Sequence, residues 1–97
     1  KRVLTRHAQR TREGMKAMVG WAESGGDEDF QRIAAAAHDL RGISGTIGAD
    51  RLARVLQELE RAALKRDPSI SEILARGDFL MRETERALSE WQRRRAS

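Results

Sequence analysis

The sequence contains no cysteine, a single proline and few aromatic residues (4%). Without cysteine, the chain forms no disulfide and carries out no thiol chemistry, which favours a reducing cytoplasm as its location. No apolar run approaches the roughly 20 residues that a membrane-spanning helix requires, and no segment resembles a secretory signal. We therefore expect a cytoplasmic domain that makes no direct contact with a membrane.

Charged residues are abundant instead and make up 35% of the chain. Together with the scarcity of aromatics and proline, this composition favours an all-helical domain. Lysine and arginine number 19 against 15 acidic residues, which gives a net charge of +4. A basic surface suits nucleic acid, an acidic membrane or an acidic protein pocket, and charge alone does not choose among them. We expect one domain, and the first residue, Lys1, indicates a segment of a longer protein.

Three short breaks, each combining glycine or proline with a residue that can cap a helix, divide the chain into four runs. Within each run the apolar residues recur at intervals of three and four, which is the spacing of one helix face. Gly14 and Gly20 interrupt the first run, and each costs up to ~1 kcal/mol in a helix, so we expect this helix to be split or bent. Short links favour an antiparallel up-down four-helix bundle. The predicted helices span about residues 3–24, 28–46, 50–65 and 70–94 of a single domain, 1–97.

His38 lies at the edge of the apolar stripe of the second helix, two residues before Leu40. Its neighbours one or two turns away are small, although each glycine inside a helix costs up to ~1 kcal/mol relative to alanine. We interpret them as an opening that lets a partner reach the imidazole. The alternatives are a solvated boundary histidine and glycines that permit close helix packing. The small neighbours are Ala34, Ala35, Gly42 and Gly45.

Imidazole has the chemistry that transfer of a phosphoryl group requires. Its ordinary pKa of ~6.5 leaves the ring largely neutral at cell pH. A neutral ring nitrogen can attack phosphorus in line, and the resulting phosphoramidate can release the group again. Arg41, one helical turn from His38, is placed to neutralise the negative charge of such a group.

The stretch from His38 to Ala49, HDLRGISGTIGA, resembles the signature of histidine-containing phosphotransfer (HPt) domains. That signature has a histidine, a hydrophobic residue two positions later, a basic residue, glycine and small residues, then Gly-Ala and a helix that carries leucine. Glu60 after Leu59 is similar to the ending of the third helix in that family. The resemblance spans about residues 30–60, and the four-helix plan extends it over the whole chain. The matching positions are Leu40, Arg41, Gly42, Ser44, Gly48, Ala49 and Leu52.

The resemblance implies that His38 is the phosphoacceptor, that Gly42 keeps its surroundings open and that Arg41 stands where the family usually has lysine. Such domains resemble passive carriers rather than enzymes, with no nucleotide, metal or other cofactor of their own. They exchange the phosphoryl group with an aspartate of a receiver domain, which would supply the Mg²⁺. Arg32 and Arg41 are expected to make the docking face mildly basic. We further expect a monomer that belongs to a hybrid sensor kinase and acts in a multistep His-Asp phosphorelay.

Asp39 is a departure from the HPt pattern. An acidic residue directly after the histidine is more typical of the H-box of sensor kinases, which reads His-Glu/Asp-Leu-Arg-Thr-Pro and belongs to a dimeric helical hairpin. Here Gly42 and Ile43 stand in place of Thr-Pro, and the chain contains no glycine-rich nucleotide box. We favour the HPt interpretation and keep the H-box dimerisation domain as an alternative.

Two further classes of function compete with phosphotransfer. Residues 44–52 resemble a helix-turn-helix whose arginines would contact DNA, but Glu58 and Glu60 follow on the same helix, so we expect no nucleic-acid partner. A metal or catalytic site is disfavoured because no second histidine lies near His38 in the sequence. The remaining alternative is a helical interaction module that works without phosphate, in which His38 is incidental.

Overall fold

The computed structural model describes residues 2–46 and 50–96, with side chains for residues 6–45 and 50–95. Helices account for nearly all of this part of the chain, which contains no strand. The all-α fold expected from the sequence is thereby confirmed, and the helix ends differ from the expected ones by at most two residues. Most of the break between the second and third helices lies outside the described residues. The helices are α1 (Arg2–Ser24), α2 (Asp27–Thr46), α3 (Asp50–Lys65) and α4 (Ile70–Ala96).

The link between α1 and α2 needs only two residues because both helices are capped. Gly25 adopts the left-handed conformation (φ 68°) that suits the end of a helix, and its N–H donates to the Trp21 carbonyl at 3.0 Å. At the start of α2, the Asp29 carboxylate accepts a hydrogen bond from the Gly26 N–H at 3.2 Å. Negative charge in this first turn complements the positive end of the helix dipole.

The link between α3 and α4 is fixed by backbone hydrogen bonds and by Asp67. The Asp67 N–H donates to the Ala62 carbonyl at 2.9 Å, and Arg66 takes the left-handed conformation (φ 54°) that this closure requires. The Ser69 N–H in turn donates to Asp67 Oδ1 at 2.9 Å. Hydrogen bonds from the Ser69 backbone and side chain hold the pKa of Asp67 below its ordinary value. The turn therefore directs α4 back along α3.

The four helices form a ring around one core. Each helix packs closely against the helices before and after it in the ring, and α4 closes onto α1, while within the described residues the backbones of diagonal helices stay further apart. This is the arrangement of the expected up-down bundle. The apolar stripes of all four helices meet inside it. The largest fully buried apolar side chains are Met18, Ile33, Leu52, Leu56, Leu59 and Met81.

The expected break in the first helix does not occur, because α1 runs continuously past both of its glycines. A Cβ at Gly14 would lie 2.5 Å from Cδ1 of Leu40, so the missing side chain is what allows α2 to pack closely against α1. Burial of the nearly inaccessible Leu40 (4% exposed) offsets the ~1 kcal/mol that a glycine costs in a helix. The expectation of a split was wrong because it counted the local cost of Gly14 and not its tertiary contact.

Two further features of the described residues concern the positions of the tryptophans and the apolar length of the helices. Trp21 packs against the core, whereas Trp91 is 40% exposed and stacks under the Arg95 guanidinium, which lies 4.9 Å from the ring centroid. None of the helices in the described part of the chain is long and apolar enough to cross a membrane.

Candidate functional site

His38 lies near the middle of α2 with its imidazole on the outside of the bundle. Its side chain is 59% exposed, although the neighbouring Ala37 and Leu40 are almost completely buried. This is the edge position that the apolar spacing of the second helix predicts. The ring faces the side of α2 that lies next to α3, where it meets a residue 22 positions further along the chain.

That residue is Glu60 of α3, whose carboxylate lies beside the imidazole. Glu60 Oε2 is 3.2 Å from His38 Nδ1, and the Glu60 side chain is only 22% exposed. Arg41, one turn along α2 from the histidine, approaches both groups: its Nη2 lies 3.3 Å from His38 Nδ1 and its Nη1 lies 3.6 Å from Glu60 Oε1. His38, Arg41 and Glu60 therefore form one cluster, which we call the His38 triad.

The two contacts at Nδ1 each belong to a different tautomer of the ring. A carboxylate can only accept and a guanidinium can only donate, so both cannot hydrogen-bond to Nδ1 at once. With a proton on Nδ1, the ring donates to Glu60, and Arg41 keeps Glu60 as its own partner. With the proton on Nε2, the lone pair of Nδ1 accepts from Arg41 Nη2 at 3.3 Å but also faces the carboxylate. The Nδ1–H tautomer is the form that leaves the lone pair on Nε2, an atom with no hydrogen bond to a described residue.

The surface next to the imidazole is bare at the glycines. A Cβ on Gly42 or Gly45 would meet no atom of a described residue within 4 Å, and both positions are exposed. Neither glycine therefore makes the close helix contact with a described residue that the packing alternative would require. Ala35 is also exposed, so a partner can approach the ring along this side of α2 without meeting a large side chain.

Two other residues singled out in the sequence contribute less to the surroundings of His38 than expected. Ala34 lines the groove beside His38, but it is only 6% exposed and packs mainly in the core. Arg32 points about 120° away from His38 around the helix. It pairs with Asp29 at 3.0 Å and Glu28 at 3.4 Å, and therefore does not bring unpaired positive charge to the histidine.

Asp39 is exposed and lines a shallow groove beside His38 between α2 and α3. With Glu60 it adds two carboxylates to the surroundings of the ring, against the single guanidinium of Arg41. The mildly basic docking face expected from Arg32 and Arg41 is therefore revised to a mixed one.

The same groove contains Leu64 of α3, which the sequence analysis did not single out. Its side chain is 68% exposed, and it lies beside His38 and Ala35. Neither Leu64 nor the role of Glu60 is visible in the spacing of α2, because both depend on how α3 is aligned along α2. One feature of the sequence could have identified Leu64 as an exposed apolar residue. It falls outside the apolar stripe of the third helix, between the buried Ala63 and the exposed Lys65.

Comparison with known proteins gives one match. The family model described as Hpt domain matches residues 2–93, which is nearly the whole chain. No curated protein and no solved structure matches it.

Proposed function

The chain belongs to the Hpt domain family, and from that premise we propose that His38 accepts a phosphoryl group from the aspartyl phosphate of a receiver domain and passes it on to another aspartate. Histidine phosphotransfer in a phosphorelay is the function that membership of this family implies. The observation that supports His38 as the acceptor is the exposed imidazole whose Nδ1 is held by Glu60 at 3.2 Å while Nε2 is left open.

In the proposed step, the lone pair of Nε2 attacks the phosphorus of the aspartyl phosphate. The P–N bond forms as the P–O bond breaks, and the aspartate leaves as a carboxylate, so no proton has to move. The product ring keeps its proton on Nδ1 and carries a positive charge. Glu60 stabilises that charge through a charge-assisted hydrogen bond. The return step reverses the same bonds, which suits a carrier that both accepts and donates.

Arg41 has its own role in this proposal, which is to bind the transferred phosphoryl group. Before transfer it pairs with Glu60 at 3.6 Å, which is a long and weak contact. A phosphoryl group on Nε2 brings two negative charges within one helical turn of the guanidinium. Because arginine is planar and permanently charged, Arg41 can bind that group without giving up a proton.

The wider setting of the domain is also proposed. Hpt domains are phosphocarriers, and we assign the acidic pocket and its Mg²⁺ to the receiver rather than to this chain. The parent protein would be a cytoplasmic or membrane-anchored hybrid sensor kinase, with the domain itself on the cytoplasmic side. The resemblance of residues 38–49 to the HPt signature supports the carrier role.

The assignment of Nε2 is tested without any partner protein, by phosphorylating the chain with phosphoramidate and locating the phosphoryl group by ³¹P and ¹⁵N NMR. We expect a single phosphohistidine, His38, with phosphorus on Nε2. Glu60→Ala removes a hydrogen bond to a charged ring, an interaction of ~1.5–3 kcal/mol, and we expect it to slow the reaction about 10-fold. It should also let some Nδ1 product appear.

Glu60→Gln is the matched variant, because its amide oxygen still accepts the Nδ1 proton. It should keep the Nε2 product and recover most of the rate. Equal rates and the same single product in all three proteins would show that Glu60 does not position the ring.

Leu64 is expected to contact the receiver, because it is the exposed apolar side chain that shares a groove with His38. Burying an exposed leucine contributes ~1.5 kcal/mol or more. Leu64→Gln should therefore weaken binding of the receiver about 10-fold while the reaction with phosphoramidate stays unchanged. Phe79→Gln is the control, since Phe79 is 62% exposed but lies on α4, away from His38. Equal effects of the two variants on receiver binding would remove Leu64 from the docking surface.

A further inference from the structure

Asp39 is a carboxylate on the side of α2 over which a partner reaches His38. It is exposed, and it lies one helical turn after Ala35 and one turn before Gly42, so the three residues follow one another along the same side of the helix. Asp39 also lines the groove beside the imidazole. A partner that approaches Nε2 over Ala35 and Gly42 therefore covers the Asp39 carboxylate.

The fold itself makes no use of this carboxylate. Asp39 has no hydrogen bond or ion pair with a described residue. The residues three and four positions away on α2 carry no charge; they are Ala35, Ala36, Gly42 and Ile43. Asp39 also lies beyond the midpoint of α2, where the helix dipole does not favour a negative charge, and aspartate is among the weaker helix formers. Neither capping nor helix stability accounts for it.

Asp39 has no part in the bond changes of the proposed transfer either. That step moves no proton, so it needs no general base beside the ring. A carboxylate repels a phosphoryl group, and the cation placed to bind that group is Arg41. Arg41 lies 3.6 Å from Glu60, and it does not face Asp39, because residues two apart in a helix do not face each other. Of the two carboxylates that line the groove, Glu60 has a cation, and Asp39 has none among the described residues.

We propose that Asp39 is a specificity-determining residue, which selects receiver domains that carry a lysine or arginine opposite it. The inference rests on the proposed function, because it names a feature of the receiver that exchanges phosphate with His38. Docking takes the carboxylate out of water, which costs free energy unless the partner supplies an opposite charge. A receiver that is neutral or acidic at this place leaves the charge covered and unpaired, and is therefore rejected.

The position of Asp39 indicates where on the receiver this cation lies. Successive residues of an α-helix point about 100° apart around its axis. When the imidazole of His38 enters the acidic pocket of the receiver, Asp39 therefore stays outside and faces the rim of that pocket. A lysine or arginine on the rim also offsets the repulsion between Asp39 and the carboxylates of the pocket.

The test uses the receiver from a broad panel that loads the chain fastest, and it measures the transfer rate against receiver concentration. We expect the concentration that gives half the maximal rate to rise about 10-fold in Asp39→Asn and about 100-fold in Asp39→Lys. The maximal rate should change little, because the charge acts on docking and not on the bond changes. Reaction with phosphoramidate should be unchanged, since that reagent needs no docking surface. The same receiver dependence in both variants as in the original chain would overturn the inference.

Glu23→Lys is the matched control, because it changes the net charge by the same amount as Asp39→Lys. Glu23 is exposed on α1 and makes no ion pair with a described residue. In the ring of helices, α1 packs on the flank of α2 opposite to α3, away from the groove beside His38. The control should keep the receiver dependence of the original chain. An equal loss in Glu23→Lys and Asp39→Lys would assign the effect to net charge and overturn the inference.

A charge exchange identifies the cation on the receiver. Each lysine or arginine on the pocket rim of the same receiver is changed to glutamate in turn. One of these receiver variants should transfer poorly with the original chain and regain transfer with Asp39→Lys, because the pair is then restored with its charges exchanged. If none does so, no cation faces Asp39 and the inference is refuted. A chain that takes label from phosphoramidate but from no receiver refutes the proposed relay, and this inference with it, so the two failures are distinguishable.

Discussion

Replacing His38 with glutamine is expected to abolish phosphoryl acceptance completely while the bundle stays folded. Glutamine is a good helix former of similar length, and the side chain at this position is 59% exposed, so the substitution removes no core packing. It does remove the nucleophile, since an amide nitrogen has no lone pair available to attack phosphorus. The measurement is transfer of labelled phosphate from a phosphorylated receiver, with circular dichroism to verify the fold.

His7→Gln is the matched control, because His7 is the second of the two histidines in the chain. It lies half-buried on α1, and its carbonyl accepts a hydrogen bond from the Thr11 hydroxyl at 2.8 Å, a contact that does not involve the ring. We expect His7→Gln to accept label as the original chain does. Label on the His38→Gln protein, or loss of label in the His7→Gln protein, would contradict the assignment of the acceptor.

Replacing Gly42 with leucine is expected to give the second largest effect, a loss of transfer on the order of 100-fold. Side chains on a helix lean toward its N-terminus, so a leucine four residues after His38 would lie over the turn that carries the ring. It would hold a receiver away from Nε2, and displacing the reacting groups by about 1 Å can cost ~100-fold in rate. The leucine itself has room among the described residues, because a Cβ at Gly42 meets none of their atoms within 4 Å.

Two controls distinguish obstruction from damage to the fold. Gly42→Ala should transfer at nearly the original rate and gain up to ~1 kcal/mol in the free energy of unfolding, since alanine is the better helix former. Gly20→Leu places the same side chain at an exposed position of α1 that is equally open, and it should leave transfer unchanged. If Gly42→Leu transferred at the original rate, the opening at Gly42 would have no part in docking.

The helices could be predicted from the sequence because each needs only local information. Apolar residues at intervals of three and four define one face, and the breaks carry capping residues such as Asp27 and Asp29, which stand in the first turn of α2. The edge position of His38 follows from the same spacing, since Ala37 and Leu40 on either side of it are buried. These features do not depend on how one helix is aligned against another.

The partners of His38 could not be predicted in the same way. Glu60 reaches the ring from α3. The spacing of apolar residues within α2 and within α3 does not determine the register of one helix relative to the other. The role of a glycine within a helix could not be predicted from the sequence either. Gly14 allows Leu40 to pack closely whereas Gly42 leaves open space, although both are glycines within helices. Which of the two roles a glycine has depends on its tertiary neighbours.

The most direct test of the central claim, that His38 is a carrier, is a two-step transfer. The chain is first loaded from a labelled phospho-receiver, drawn from a broad panel, then purified and mixed with a fresh unlabelled receiver. We predict acid-labile, base-stable label on the chain after the first step, and its movement to the second receiver. A well-folded chain that takes no label from any receiver, or that keeps its label in the second step, would contradict the account and favour an interaction module that works without phosphate.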